Sequence, residues 1–203
     1  MNRVIIAAVV ASASGAALGD VFVAAENTNQ DSTFAFAFSD PARLGQTFTS
    51  SAFGRVTTID FAVSLAGPAS GEVTVEVWSV AGLSDYPSPD NAGPTKLGEA
   101  TAAYSGAQAG SPTFVTADFA GEKATLTPGG TFALVFRSQS PVSLWTINNN
   151  PYADGNFYQW TTTFGTAELQ TIDAYFVVNA VVPAPGGVAA IGAAGLLAAR
   201  RRR

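Results

Sequence analysis

Between residues 21 and 182 hydrophobic side chains recur at every second position. Phe34, Phe36 and Phe38 alternate with small residues, and Ile59, Phe61, Val63 and Leu65 follow the same rule. Val73, Val75 and Val77 alternate with Thr74, Glu76 and Trp78; Phe132, Leu134 and Phe136, then Ala174, Phe176 and Val178, repeat the pattern. A period of two is that of a strand with one face on a core and the other in water. The same parity places Glu72 and Glu76 together on a solvent face. Turn signals separate the runs at Gly67-Pro68, Ser70-Gly71, Pro128-Gly129-Gly130, Asp154-Gly155 and Gly165, with Asp154-Gly155 reading as a hairpin. No amphipathic helical pattern of ten residues interrupts them, so sheet must pack on sheet. The expectation is an all-β fold, an antiparallel β-sandwich of jelly-roll type over residues 20–181.

The two ends break this pattern. Met1-Asn2-Arg3 is a short positive stretch, and Val4 to Leu18 is an uncharged run rich in Val, Ile and Ala. This is the layout of a secretory signal helix over 1–19, with Ala17 and Gly19 as the small residues before the cut and Ala11-Ser12-Ala13 as a second choice. At the other end Val182-Pro183-Ala184-Pro185 precedes the uncharged stretch Gly186 to Ala199, closed by Arg200, Arg201, Arg202 and Arg203. A helix over that stretch reaches about 21 Å against a hydrocarbon layer of about 30 Å. Snorkelling arginines and the uncharged residues back to Val181 extend its reach. Arginines at the far end hold the C-terminus on the cytoplasmic side and the body outside.

Charge sharpens the contrast. All fifteen acids lie between Asp20 and Asp173, while five of the ten bases are Arg3 and the four terminal arginines. The stretch 20–182 therefore sets five bases against fifteen acids, a net of −10. Such a body repels phosphate backbones, and no nucleic-acid partner is expected. The chain contains no His and no Cys. That excludes Ser-His and Cys-His nucleophile pairs, imidazole or thiolate zinc sites and iron–sulfur sites. A body of this length buries enough surface to fold without disulfides.

Val182-Pro183-Ala184-Pro185, a short Gly/Ala/Leu helix and Arg200 to Arg203 together resemble the PEP-CTERM sorting signal of exported bacterial proteins, with Ala184 standing where that family has Glu. The resemblance implies recognition by an exosortase, a membrane protease that removes the tail, transient residence in the inner membrane, and delivery to the cell surface or extracellular matrix. A plain C-terminal membrane anchor fits the same length and charge. Gly45-Gln46-Thr47-Phe48-Thr49, Gly71 to Trp78, Gly93 to Gly98, Leu126 to Phe136 and Asp173 to Phe176 resemble the choice-of-anchor exported β-domains. That resemblance implies a shared sandwich and no catalytic residues.

Three chemistries are open to the body. In Trp145 to Trp160, flat rings alternate with amides, the equipment for packing a sugar face and pairing its hydroxyls. Trp145, Tyr152, Tyr158 and Trp160 form the candidate platform, with Asn148, Asn149, Asn150, Asp154 and Gln159 at its edge; the other reading of the stretch is core aromatics and Asn-rich turns. Asp85 and Asp90, in the Pro-rich excursion Ser84 to Asn91, are oxygen donors of the kind that clip a loop with structural Ca²⁺, though not in EF-hand spacing. A carboxylate-dependent glycan hydrolase needs two acids across one cleft, and no motif selects a pair. No cofactor is called for. These features together lead us to expect an exported, non-catalytic surface or matrix protein that either packs structurally in an extracellular polysaccharide layer or adheres weakly to carbohydrate.

Overall fold

The alternating runs form strands, and every pairing between them is antiparallel. The computed structural model describes residues 20–28, 33–148, 152–169 and 172–182, apart from the side chains at 33, 34 and 148. The signal stretch 1–19, Asn149, Asn150 and the tail from Pro183 onward lie outside the described residues. In chain order the strands are β1 (Val21–Asn27), β2 (Thr33–Phe38), β3 (Arg43–Thr49), β4 (Gly54–Ser64), β5 (Ser70–Ser79), β6 (Thr95–Ser105) and β7 (Thr113–Asp118). They continue as β8 (Thr125–Leu126), β9 (Thr131–Arg137), β10 (Val142–Asn148), β11 (Phe157–Thr161), β12 (Gly165–Glu168), β13 (Ile172–Ala174) and β14 (Phe176–Val181).

One sheet runs β1-β14-β4-β10-β13, with β2 joined to β10 and β7 and β8 joined to β4; the other runs β12-β11-β3-β9-β5-β6. No helix occurs among the described residues. The two sheets meet face to face, with Phe36, Phe61, Phe136 and Phe176 of the alternating runs at the contact. Phe61 of β4 meets Phe136 of β9 at 5.4 Å between ring centroids, Phe176 of β14 meets Phe48 of β3 at 6.0 Å, and Phe36 of β2 meets Phe157 of β11 at 6.0 Å. Val73, Val75 and Val77 are fully buried in the same cluster. Each such side chain contributes about 1.5–3 kcal/mol by leaving water.

Two expectations are corrected here. Glu76 does share the outward parity of Glu72, but it is only 2% exposed. Its carboxylate is enclosed on the outer face of the six-stranded sheet by the Trp78 indole N–H at 2.9 Å, Arg137 at 3.2 Å and Lys96 at 3.7 Å. Parity sets the face on which a residue lies, and neighbouring long side chains decide whether that face is wet. Asp154-Gly155 is not a hairpin either, because it joins β10 to β11, which belong to different sheets. Gly155 passes so close to the Thr47 carbonyl oxygen that a β-carbon would collide with it. Glycine is needed there for close approach of two backbones rather than for turn geometry.

The ends of this domain leave together. β1 and β14 pair from Val21–Val181 inward, and Arg55 at the start of β4 pairs with Val181. β4 then runs to Ser64, about 30 Å away at the usual strand rise, where a short turn leads into β5 at Ser70. The sandwich thus has a terminal pole at Val21, Val181 and Arg55 and a far pole at Ser64 and Ser70.

Candidate functional site

The candidate sugar platform does not assemble. Trp145 lies on β10 in the larger sheet and is 6% exposed, whereas Tyr158 and Trp160 lie on β11 in the other sheet at 0% and 7%. The Trp160 ring is roofed by the Arg43 guanidinium, 5.8 Å from its centroid, and its N–H reaches Asp90 Oδ2 at 3.4 Å. Tyr158 is pressed flat over Gly45, which has no side chain to prevent it, and Tyr86 stacks on it at 4.6 Å. Burial holds the Tyr158 hydroxyl well above the usual tyrosine pKa. Gln159 is half-buried, and Asn148 ends β10. Of the six principal candidates Tyr152 and Asp154 share an opening, a groove of about 310 Å³ beside Val23 to Glu26 of the edge strand β1. The Tyr152 ring stands edge-on to Phe176 at 5.3 Å, and burial followed by the nearby Asp154 carboxylate raises its pKa to about 12.

The Pro-rich excursion also has a role other than the one its acids suggested. It folds onto the outer face of the six-stranded sheet, where the Leu83 carbonyl accepts from Thr47 Oγ1 at 3.0 Å and Tyr86 donates its hydroxyl proton to Glu168. Burial, then the Glu168 bond, pushes the Tyr86 pKa up to about 12. Asp85 spends both oxygens inside the loop, accepting from Ala81 N at 2.9 Å and Asn91 Nδ2 at 2.8 Å. Its carboxylate closes the loop through N–H donors alone. Among the described residues no group of three or more acids, His or Cys is placed to hold a metal ion.

The site that the geometry does build was not visible in the sequence. A single row of side chains crosses the outer face of the six-stranded sheet. Trp160 pairs with Arg43, Thr74 with Arg137, and Thr74 with Thr101. The Leu44–Phe136 pairing places Arg43 and Arg137 opposite one another one step further on. Beyond Arg43 the row opens into a cleft of about 400 Å³ lined by Asp40, Glu72, Thr74, Glu99, Thr101 and Arg137, with the Ser138–Ser140 loop and Gly71 at its margin. Because these residues come from the start of β5 and the end of β9, the cleft lies at the far pole.

Arg137 is the floor of the cleft. Partial burial opposes its charge, but the Glu76 hydrogen bond and the Asp40 carboxylate more than offset this and hold its pKa above the ordinary arginine value. Glu99 accepts from Lys96 at 2.8 Å, an exposed pair in which that bond lowers the Glu99 pKa and raises the Lys96 pKa. The Thr74 and Thr101 hydroxyls are 2.9 Å apart. No aromatic ring lines the cleft, so the aromatic-lined pair of acids that a glycan hydrolase would need is not assembled there.

A second polar feature sits between the sheets. Asp173, 0% exposed, accepts from Gln46 Nε2 at 2.9 Å and from the Tyr152 N–H at 3.1 Å, while Gln46 Oε1 accepts the Ala174 N–H at 2.9 Å. Burial raises the Asp173 pKa to about 6, with the two hydrogen bonds working the other way. Its bonds tie β13 to β3 across the core and leave no opening for a substrate. Compared with protein-family models and with curated proteins, the chain matches none.

Proposed function

We propose that the chain is an exported, non-catalytic cell-surface or extracellular-matrix protein. A signal over 1–19 delivers it, and a PEP-CTERM-like tail, Val182-Pro183-Ala184-Pro185 through Arg200 to Arg203, holds it in the inner membrane until an exosortase-type enzyme processes it. Its working part is the jelly-roll-like sandwich, and its ligand is extracellular polysaccharide. The observation that carries this reading is the polarity of the sandwich: Val21 and Val181 leave as neighbours at one pole, and the polar cleft opens at the other. Within the body, Val181 and the attachment that follows it are therefore at the pole opposite to the cleft. The acidic body, net −10 over 20–182, suits a hydrated matrix and avoids anionic headgroups.

The test is protease shaving of intact cells of the native host combined with fractionation of the medium. Export predicts that the sandwich is recovered from the medium or removed by protease without lysis. A chain that is protected in intact cells and recovered from the cytosol refutes it.

A further inference from the structure

The cleft at the far pole carries a charge pattern that narrows what it can hold. Three carboxylates, Asp40, Glu72 and Glu99, line it against one guanidinium, Arg137. Arg137 is already committed to Glu76 at 3.2 Å and Asp40 at 3.5 Å. Asp40 also accepts from Gln139 Nε2 at 2.6 Å, and Glu99 is engaged by Lys96. Glu72 differs. It is exposed, and among the described residues its carboxylate makes no ion pair or hydrogen bond; its backbone oxygen accepts from Ser138 Oγ at 2.9 Å. Beside it the Thr74 and Thr101 hydroxyls share one proton between them, which leaves one O–H donor and unused lone pairs in the cleft wall.

An independent observation marks the same face as incomplete. The Tyr158 hydroxyl is wholly buried and has no hydrogen-bond partner among the described residues. It lies over Gly45 of β3, in the cross-strand row of Val135 and Glu76, beside the row that carries Arg137. Arg43 Nε and Arg137 Nε, on the same face, are also unpartnered among the described residues. Buried polar atoms in folded proteins nearly always find partners, so the orphan on Arg137, the one of the three whose residue lines the cleft, marks a wall that a polar guest completes.

We propose that the cleft binds an amino sugar bearing an unacetylated, protonated amine, as a unit of a polysaccharide. The ammonium sits against Glu72 in the field of Asp40 and Glu99, and ring hydroxyls exchange hydrogen bonds with Thr74 and Thr101. A uronate or sulfated sugar would meet like charge in the walls. An N-acetylated sugar would leave Glu72 facing a neutral amide, and a basic peptide would supply the charge without hydroxyls for the threonine pair. The volume falls in the range of small-molecule sites. This assignment rests on the surface reading above by naming the sugar class that the surface would meet.

The experiment is calorimetric titration of the intact protein at pH 6 and low salt with four probes: a glucosamine tetramer, its fully N-acetylated counterpart, a glucose tetramer and tetralysine. The glucosamine tetramer should bind; the acetylated and glucose tetramers, which lose the charge-assisted contact, and tetralysine, which lacks hydroxyls for Thr74 and Thr101, should each bind at least about tenfold more weakly. Raising the salt should weaken binding. Glu72→Gln, at an exposed position, should lose about tenfold in affinity with an unchanged melting temperature, and Thr74→Ala should lose part of that. Equal affinity for the acetylated tetramer, tetralysine binding as tightly as the sugar, or no binding to any probe would each overturn the assignment. Because the titration is done in vitro, such a failure leaves the location of the protein, read by shaving and fractionation, standing on its own result.

Discussion

The buried carboxylate of Asp173 makes stability fall as pH rises across the mildly acidic range. Its pKa moves from 3.8 to about 6 on folding, so the folded state holds a proton that the unfolded state has released. For a raised pKa the stabilising contribution is fully present below about 3.8 and lost as pH climbs through 6. A shift of roughly two units corresponds to about 3 kcal/mol over the whole range, and to about 2 kcal/mol between pH 4.5 and 7.5. No cation contacts Asp173 among the described residues; its acceptor bonds come from Gln46 Nε2 and the Tyr152 N–H, and the titratable side chain that feels its charge is Tyr152. The assay is urea unfolding at a series of pH values. The free energy of unfolding of the native chain should drop by about 2 kcal/mol from pH 4.5 to 7.5, and Asp173→Asn should flatten that dependence whatever its absolute stability. A chain that gains stability over this interval, or an Asn variant that keeps the native slope, would refute the reasoning.

Other consequences follow from the same contacts. Gly45→Ala drives a β-carbon into the Tyr158 ring and should destabilise by roughly 1–3 kcal/mol, whereas Gly82→Ala, with nothing within 4 Å of the new atom, should change chemical stability little. Glu76→Ala leaves Arg137, Lys96 and the Trp78 N–H without their shared acceptor and should cost about 3 kcal/mol; a melting temperature equal to that of the native chain contradicts the enclosure of that carboxylate. Trp145→Ala and Trp160→Ala should each lower stability by about 3–5 kcal/mol because both rings are buried, with the loss read by denaturant midpoint before any ligand is added. Since Asp85 is satisfied by N–H donors, the melting temperature should be the same in millimolar calcium and in chelator.

What could be read from the sequence was whatever is local along a strand. The parity of Phe61 and Val63, of Val73 to Val77 and of Phe132 to Phe136 identified inward faces because a strand's period is fixed by its own backbone. Partnership between strands is not local. Glu72, Glu99 and Arg137 meet only because β5 pairs with both β6 and β9, and nothing near any of the three residues encodes that order. The same gap misplaced the sugar platform. Trp145 and Trp160 are close in sequence, but the chain crosses between sheets at Gly155 and sends them to different layers. The burial of Glu76 was hidden for a related reason, since its cover comes from Trp78, Lys96 and Arg137 on three strands. Overall charge was legible, and it foretold an acidic body without saying where the acids converge.

The most direct measurement is the intact mass of the protein isolated from its native host. Export and tail processing together predict a species lacking residues 1–19 and trimmed near Val182 to Pro185, recovered from the envelope or medium. A full-length chain of 20.8 kDa in the soluble cell interior would contradict both.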